Sequence, residues 1–261
     1  AVSVARIAAT RGLVAVHAEE PAALRPNASD WERSRPPEAE VAAIGALARA
    51  GARVHVVHVS TPAALAALGP GMTAETCPHY LTFTGEDATS HGAAFKCAPP
   101  LRGTAEREGL WAALAEGRIT LVASDHSPAS RERKAGDLWT AWGGIAGVQT
   151  LLPALLTGAR ERGLGLPRLA QLTAEAPARL LGLVRKGRLA PGLDADLALV
   201  DPAREWTLDA AALQTRSGQS AWLGRRFRGA VVATVLRGRI VYRDGAFPQG
   251  AGYGRYVRRE A

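Results

Sequence analysis

Three side chains in this 261-residue sequence have the right types for hydrolysis at a bound metal: His17, His58 and Asp125. A hydrolytic metal site needs neutral imidazoles and carboxylates held rigidly, with one coordination position open to water. A carboxylate beside the metal can also take the proton of that water. Taken singly, each histidine fits a satisfied, partly buried ring equally well. His55 lies three residues before His58. Side chains alternate along a strand, so the two point opposite ways, and His55 reads as structural. Cys77, His79 and Tyr80 form another cluster. Cys77 and His79 could ligate zinc, but a Cys-x-His pair alone does not specify a site. His126 should face away from Asp125 if the strand continues through both.

The elements around these residues suggest how they are positioned. LVAVHAEE (13–20), RVHVVHVS (53–60), MTAETCPHYL (72–81) and RITLVASDHSP (118–128) read as strands, and Pro78 marks where the third leaves regular pairing. The spacing of Val41, Ile44 and Leu47 predicts a helix over 38–50, stopped by Gly51. Further helices are expected over 63–68, with Pro62 in the first turn, and over 106–116. Strands separated by helices indicate βα units and a parallel sheet. His17, His58, His79 and Asp125 each fall at a strand's end. In parallel α/β folds, and in (β/α)₈ barrels above all, sites lie at the C-terminal ends of the strands. Four such units are half a barrel. Helices should follow over 148–162 and 166–183. From about Arg185 the pattern becomes all-β, with a strand over 196–200 and two more turned at Arg237-Gly238. This places a boundary near 183–187, between an α/β portion (1–184) and a β portion (185–261). The opening AVSVARIAATRG shows no signal-peptide pattern and reads as helix.

Composition narrows the function classes. Hydrophobic residues at 47% and charged residues at 21% match globular averages and exclude disorder as the main state. No apolar run approaches the ~18–20 residues of a membrane span. The net charge of +8 comes from scattered arginines, without the basic patch and stacking aromatics of a nucleic-acid binder, so it reads as compositional bias. Cys77 and Cys97 form neither a CxxC motif nor a disulfide framework, which makes a reducing cytoplasm the default location. The loop from Ser127 to Ile145 carries Arg131, Arg133, Lys134, Trp139 and Trp142-Gly143-Gly144. Long loops at strand ends often close over ligands. Glycines there would let backbone groups approach a cyclic imide or ureide.

HVSTPAAL, TAETCPHYL, KCAPPLR, ASDHSP, WGGIAGVQ and KGRLAPGLDADLALVD resemble the cyclic amidohydrolases, which include allantoinases, dihydroorotases, hydantoinases and dihydropyrimidinases. The likeness runs along essentially the whole chain, and the combination of ETCPHYL, KCAPPLR, SDHSP and WGGI is most similar to the allantoinases. The resemblance implies a (β/α)₈ TIM-type barrel, of which this chain would hold the C-terminal half, plus part of a small β-sandwich. It implies two metals, usually zinc, bridged by a carboxylated lysine and a hydroxide. Carried over by motif, His17 and His58 ligate the second metal, while Asp125 ligates the first and acts as general base and acid. Cys97, Ser127, Trp142 and Gly143 match positions around the substrate ring. The implied reaction is hydrolysis of allantoin to allantoate in the cytoplasm. The protein would be a homo-oligomer when full length, with no nucleic-acid or membrane partner.

The chain departs from the family pattern at the other half of the site. The family's first metal needs a His-x-His pair, and none of the six histidines forms one. Lys96, Lys134 and Lys186 do not match the bridging lysine. Half a barrel would leave exposed strand edges, so an isolated chain is expected to be poorly stable and inactive, and the full-length parent active. A dihydropyrimidine, hydantoin or dihydroorotate substrate, or a metal-free scaffold of the same fold, are the alternatives.

Overall fold

The computed structural model describes Arg6, Ala9 and residues 12–258. The helix read into the opening segment falls mainly outside those residues. The chain divides into two compact units, one of residues 1–151 with 214–221, the other of residues 152–213 with 222–261.

The first unit is built on a parallel sheet of β1 (Ala15–Val16), β2 (His55–Val56), β3 (Thr73–Thr76) and β4 (Leu121–Val122), which neighbour one another in sequence order. Helices occupy each connection, as parallel pairing requires: Pro37–Arg49, then Pro62–Ala66, then Gly85–His91 with Thr104–Ala115. The mixed α/β class with a parallel sheet is therefore as expected. The helix Pro37–Arg49 starts with proline in its first turn, where the missing N–H is not needed. Glu38 and Glu40 favour that end electrostatically. It buries Ile44 and Leu47 and stops at Gly51, whose φ is +67°. Val54, Val56, Ala74, Leu110, Leu114, Ile119 and Leu121 fill the same core. Burying a large aliphatic side chain contributes roughly 1.5–3 kcal/mol.

The paired ladders are shorter than the apolar runs that announce them. Hydrogen bonds do extend past the strands, from Val57 N–H to Val16 O (3.1 Å) and from Val59 N–H to Glu75 O (2.8 Å). At the C-terminal rim, however, the backbone turns sharply. His58 has φ +44° and Asp125 φ +42°, two of only four non-glycine residues at positive φ among those described. Left-handed backbone costs a non-glycine residue energy, least for Asn, Asp and His. Such strain concentrates at functional sites.

In the second unit, helix Leu151–Glu161 precedes a helical run over 166–181 whose middle turn, Gln171–Glu175, is a wider π-turn. One uninterrupted helix was expected there. Pro177 lacks an N–H and its ring would crowd the carbonyl four residues back, and the widened turn relieves that conflict. Strands β5 (Leu197–Thr207), β6 (Arg226–Leu236) and β7 (Arg239–Arg243) form an antiparallel sheet in that order. β6 and β7 turn at Arg237-Gly238, as the sequence indicates, with φ +48° and +78°. β5 runs seven residues further than 196–200 suggested, past a bulge that absorbs Pro202. No helix among the described residues is long and apolar enough to cross a membrane.

Candidate active site

The end of each parallel strand delivers one candidate residue to the same rim. His17 directly follows β1, His58 lies two residues past β2, His79 three past β3 and Asp125 three past β4. His17 Nδ1 and His58 Nε2 face each other at 3.1 Å, with ring centroids 4.8 Å apart. That separation suits a hydrogen bond between the rings. It also approaches the about 3.3 Å expected of two imidazoles on one tetrahedral ion at ~2.0–2.1 Å each. Burial, followed by the neighbouring His17, lowers His58 to about 4, so its ring is neutral at neutral pH, as a ligand must be.

Asp125 stands within electrostatic reach of His17. Burial raises its carboxyl, partly offset by His17, and that makes it a stronger proton acceptor. Among the described residues, no three His, Cys, Asp or Glu side chains close into a metal-binding group. The donor set present is thus a histidine pair with the Asp125 carboxylate within electrostatic reach of His17, which fits part of a metal centre.

Behind this rim lies a polar scaffold that sequence reasoning missed. His17 Nε2 meets Glu19 Oε2 at 2.7 Å, leaving Nδ1 to face His58. A carboxylate on the far nitrogen fixes the tautomer and orientation of a ligating imidazole. Arg35 grips both Glu19 oxygens, with Nε 3.1 Å from Oε1 and a further short contact from Nη2 to Oε2. Burial pushes Glu19 up, but the bonds from His17 and Arg35 outweigh it and hold the carboxyl below its usual range. Arg102 then donates to Arg35 O (2.7 Å), Ser60 Oγ (3.0 Å) and Glu40 Oε2 (3.3 Å). Glu40 accepts from Ser60 N–H at 3.0 Å and from the Ser60 hydroxyl. One buried arginine therefore braces both the support of His17 and the loop two residues beyond His58. The i, i+2 spacing of His17 and Glu19 was the one available signal.

The residues expected around a substrate ring fall into two settings. Ser127, Trp142 and Gly143 come together: Trp142 Nε1–H donates to Ser127 Oγ (3.3 Å), and Ser127 N–H to Ile145 O (3.0 Å) closes the loop. Trp142 is 40% exposed, with the Arg133 guanidinium 4.2 Å from its ring. Gly144 N–H is engaged with Lys96 O at 2.8 Å, so that amide is not free for a ligand. Cys97 differs: its side chain is buried, and burial pushes its thiol up to about 12. Cys77 and Cys97 are both free thiols.

His55 and His126 serve structure. His55 is buried between Thr73 Oγ1 (2.8 Å) and Glu75 Oε2 (3.0 Å), as its strand position suggested. His126 Nδ1 accepts from Gly147 N–H (3.1 Å) and Val148 N–H (3.2 Å), clamping the far end of the loop.

His79 is 1% exposed and burial, then His58, lowers it to about 3. In the unfolded chain it would titrate near 6.5, so the native state resists a proton that the unfolded state accepts. Above pH 6.5 the ring is neutral in both states and protonation adds no difference between them, and stability falls as pH drops from there toward 3. Against a His79→Leu variant, urea unfolding should show wild type losing about 1.4 kcal/mol per pH unit below pH 6. Parallel pH profiles for the two proteins would contradict this.

The first unit thus carries two histidines and an aspartate on the C-terminal rim of a parallel α/β sheet. The sequence profile of the amidohydrolase family matches residues 4–241, and the chain belongs to that family. Within it the chain is allantoinase-like. It is 48% identical to an allantoinase of Rubrobacter xylanophilus over 90% of this chain and 54% of that protein. It is 43% identical to one of Streptomyces avermitilis over 96% of this chain and 60% of that protein. The fold is similar to that of an L-hydantoinase (dihydropyrimidinase) from Arthrobacter aurescens, with TM-score 0.86 and 32% identity over 94% of this chain and 60% of that one. A D-hydantoinase matches with TM-score 0.87 and 28% identity, over 99% and 63%. The chain thus spans little more than half the length of the curated relatives it matches.

Proposed function

We propose that this chain supplies one side of a binuclear zinc centre that hydrolyses the cyclic amide of allantoin to allantoate. His17 and His58 hold one ion and Asp125 belongs to the other, while the His-x-His pair and carboxylated lysine come from sequence outside the chain. In this reading residues 1–184 are the C-terminal half of a (β/α)₈ barrel and residues 185–261 part of a β-sandwich. The complete protein is then a cytoplasmic homo-oligomer. The observation that carries the proposal is the approach of the His17 and His58 nitrogens to 3.1 Å, with Asp125 within electrostatic reach of His17, in an allantoinase-like chain.

When bound, the metal polarises the ring carbonyl and makes water nucleophilic at neutral pH. The chain's own residues do the rest. Asp125 takes the proton of the attacking water and returns it to the leaving ring nitrogen. Glu19 and Arg35 keep His17 Nδ1 turned inward. Ser127 and the exposed face of Trp142 bracket the planar ureide.

The hydantoinase folds favour one second reading, a dihydropyrimidine or hydantoin ring as substrate. A chimera tests both: the N-terminal portion of the R. xylanophilus allantoinase fused ahead of this chain. With zinc it should turn over allantoin, whereas the chain alone stays at background. Turnover of hydantoins but not allantoin would select the second reading. A zinc-loaded chimera inert on both would leave a scaffold role.

A further inference from the structure

Three buried ring nitrogens near the candidate site have no hydrogen-bond partner among the described residues: His58 Nδ1, His79 Nδ1 and His79 Nε2. An unsatisfied buried polar group costs about 1–3 kcal/mol, so each calls for an explanation. The other ligand candidate sets the comparison. His17 gives its far nitrogen to Glu19 at 2.7 Å. Ligating histidines almost always donate that far N–H to a second group. For His58 the far nitrogen is Nδ1, since Nε2 faces His17. No carboxylate bonds to it.

His79 is placed to do so. β2 and β3 are adjacent, with Val56 opposite Ala74, so the segments carrying His58 and His79 leave the sheet side by side. Phe83 N–H donates to His79 O (2.8 Å) and the ring packs on Tyr80 at 4.3 Å, which fixes its place. We propose that His79 is the positioning residue for His58, reaching its Nδ1 through one buried water. The inference rests on the metal reading of His17 and His58.

The residue type has a reason. When His58 Nε2–H donates to His17 Nδ1, His58 Nδ1 is an acceptor and needs a donor. When Nε2 turns its lone pair to an ion, the proton sits on Nδ1 and needs an acceptor. A neutral imidazole carries one donor and one acceptor and can satisfy either state, as a carboxylate cannot. Each ring keeps one proton throughout, so the exchange neither takes up nor releases any.

The test uses the 261-residue chain, cobalt(II) as the probe, and two variants, His79→Leu and His79→Gln. Cobalt affinity should fall tenfold to a hundredfold in His79→Leu, the range for lost outer-shell partners, and recover largely in His79→Gln, whose amide also offers donor and acceptor. Without metal, the ¹⁵N shifts of the His58 ring should show an altered tautomer balance in His79→Leu alone. Thermal unfolding at pH 7.5 should not follow this pattern, since leucine removes two unpartnered nitrogens. If both the cobalt affinity and the His58 shifts of His79→Leu match wild type, the proposal is overturned. If wild type takes no cobalt, the metal reading fails, and the His58 shifts alone decide whether His79 positions that ring.

Discussion

Changing Asp125 to asparagine in the allantoinase chimera should lower kcat/KM for allantoin about 100- to 10,000-fold, the range general-base catalysis supplies. The substitution is nearly isosteric, and asparagine tolerates the left-handed backbone that Asp125 adopts at φ +42°. Burial dominates the upward shift of its carboxyl, so removing the charge relieves a desolvation cost. The melting temperature should therefore stay close to wild type while activity collapses. Zinc content separates the two roles given to this side chain. Loss of one zinc marks it as a ligand, and full zinc with lost turnover marks it as the proton carrier. A zinc-replete variant within tenfold of wild type would remove Asp125 from the chemistry.

The positions of His17, His58 and Asp125 were legible because strand ends are marked locally. Apolar runs such as LVAV and RVHVV must pair, and the polar residues that follow them must leave the sheet at one rim. The turn at Arg237-Gly238 was legible for the same reason, since two successive positive φ values need tolerant residues. What supports the site was not. Glu19 meets Arg35 across 16 residues, and Arg102 reaches Ser60 across 42 and Glu40 across 62. No periodicity encodes such pairings, because each side chain reads separately as an ordinary surface charge. Glu40 sits at a position any solvated helix start would favour, yet it is buried. His79 was visible as one of a cluster, but its lack of partners belongs to the packed interior alone.

Arg102 carries the largest expected stability effect. Its guanidinium is buried and donates to three separate segments: the backbone at Arg35, the Ser60 hydroxyl and the Glu40 carboxylate. In Arg102→Met the Glu40 carboxylate stays buried without its counter-charge, and breaking a buried pair this way costs about 3–5 kcal/mol. Urea unfolding of the 261-residue chain should show that loss at pH 7.5. Burial already raises Glu40, with Arg102 opposing it, so the variant should regain stability as pH falls and the acid takes a proton. The double variant Arg102→Met, Glu40→Leu removes both charges and should recover most of the loss, because apolar replacements of buried pairs are often neutral. Metal binding should not recover with it. Arg35, which holds Glu19 against His17, and Ser60, which anchors the loop leaving His58, would both have lost their brace. A double variant that regains stability but binds cobalt at least tenfold more weakly would identify the network as what orients the two imidazoles. Restored affinity would reduce it to packing.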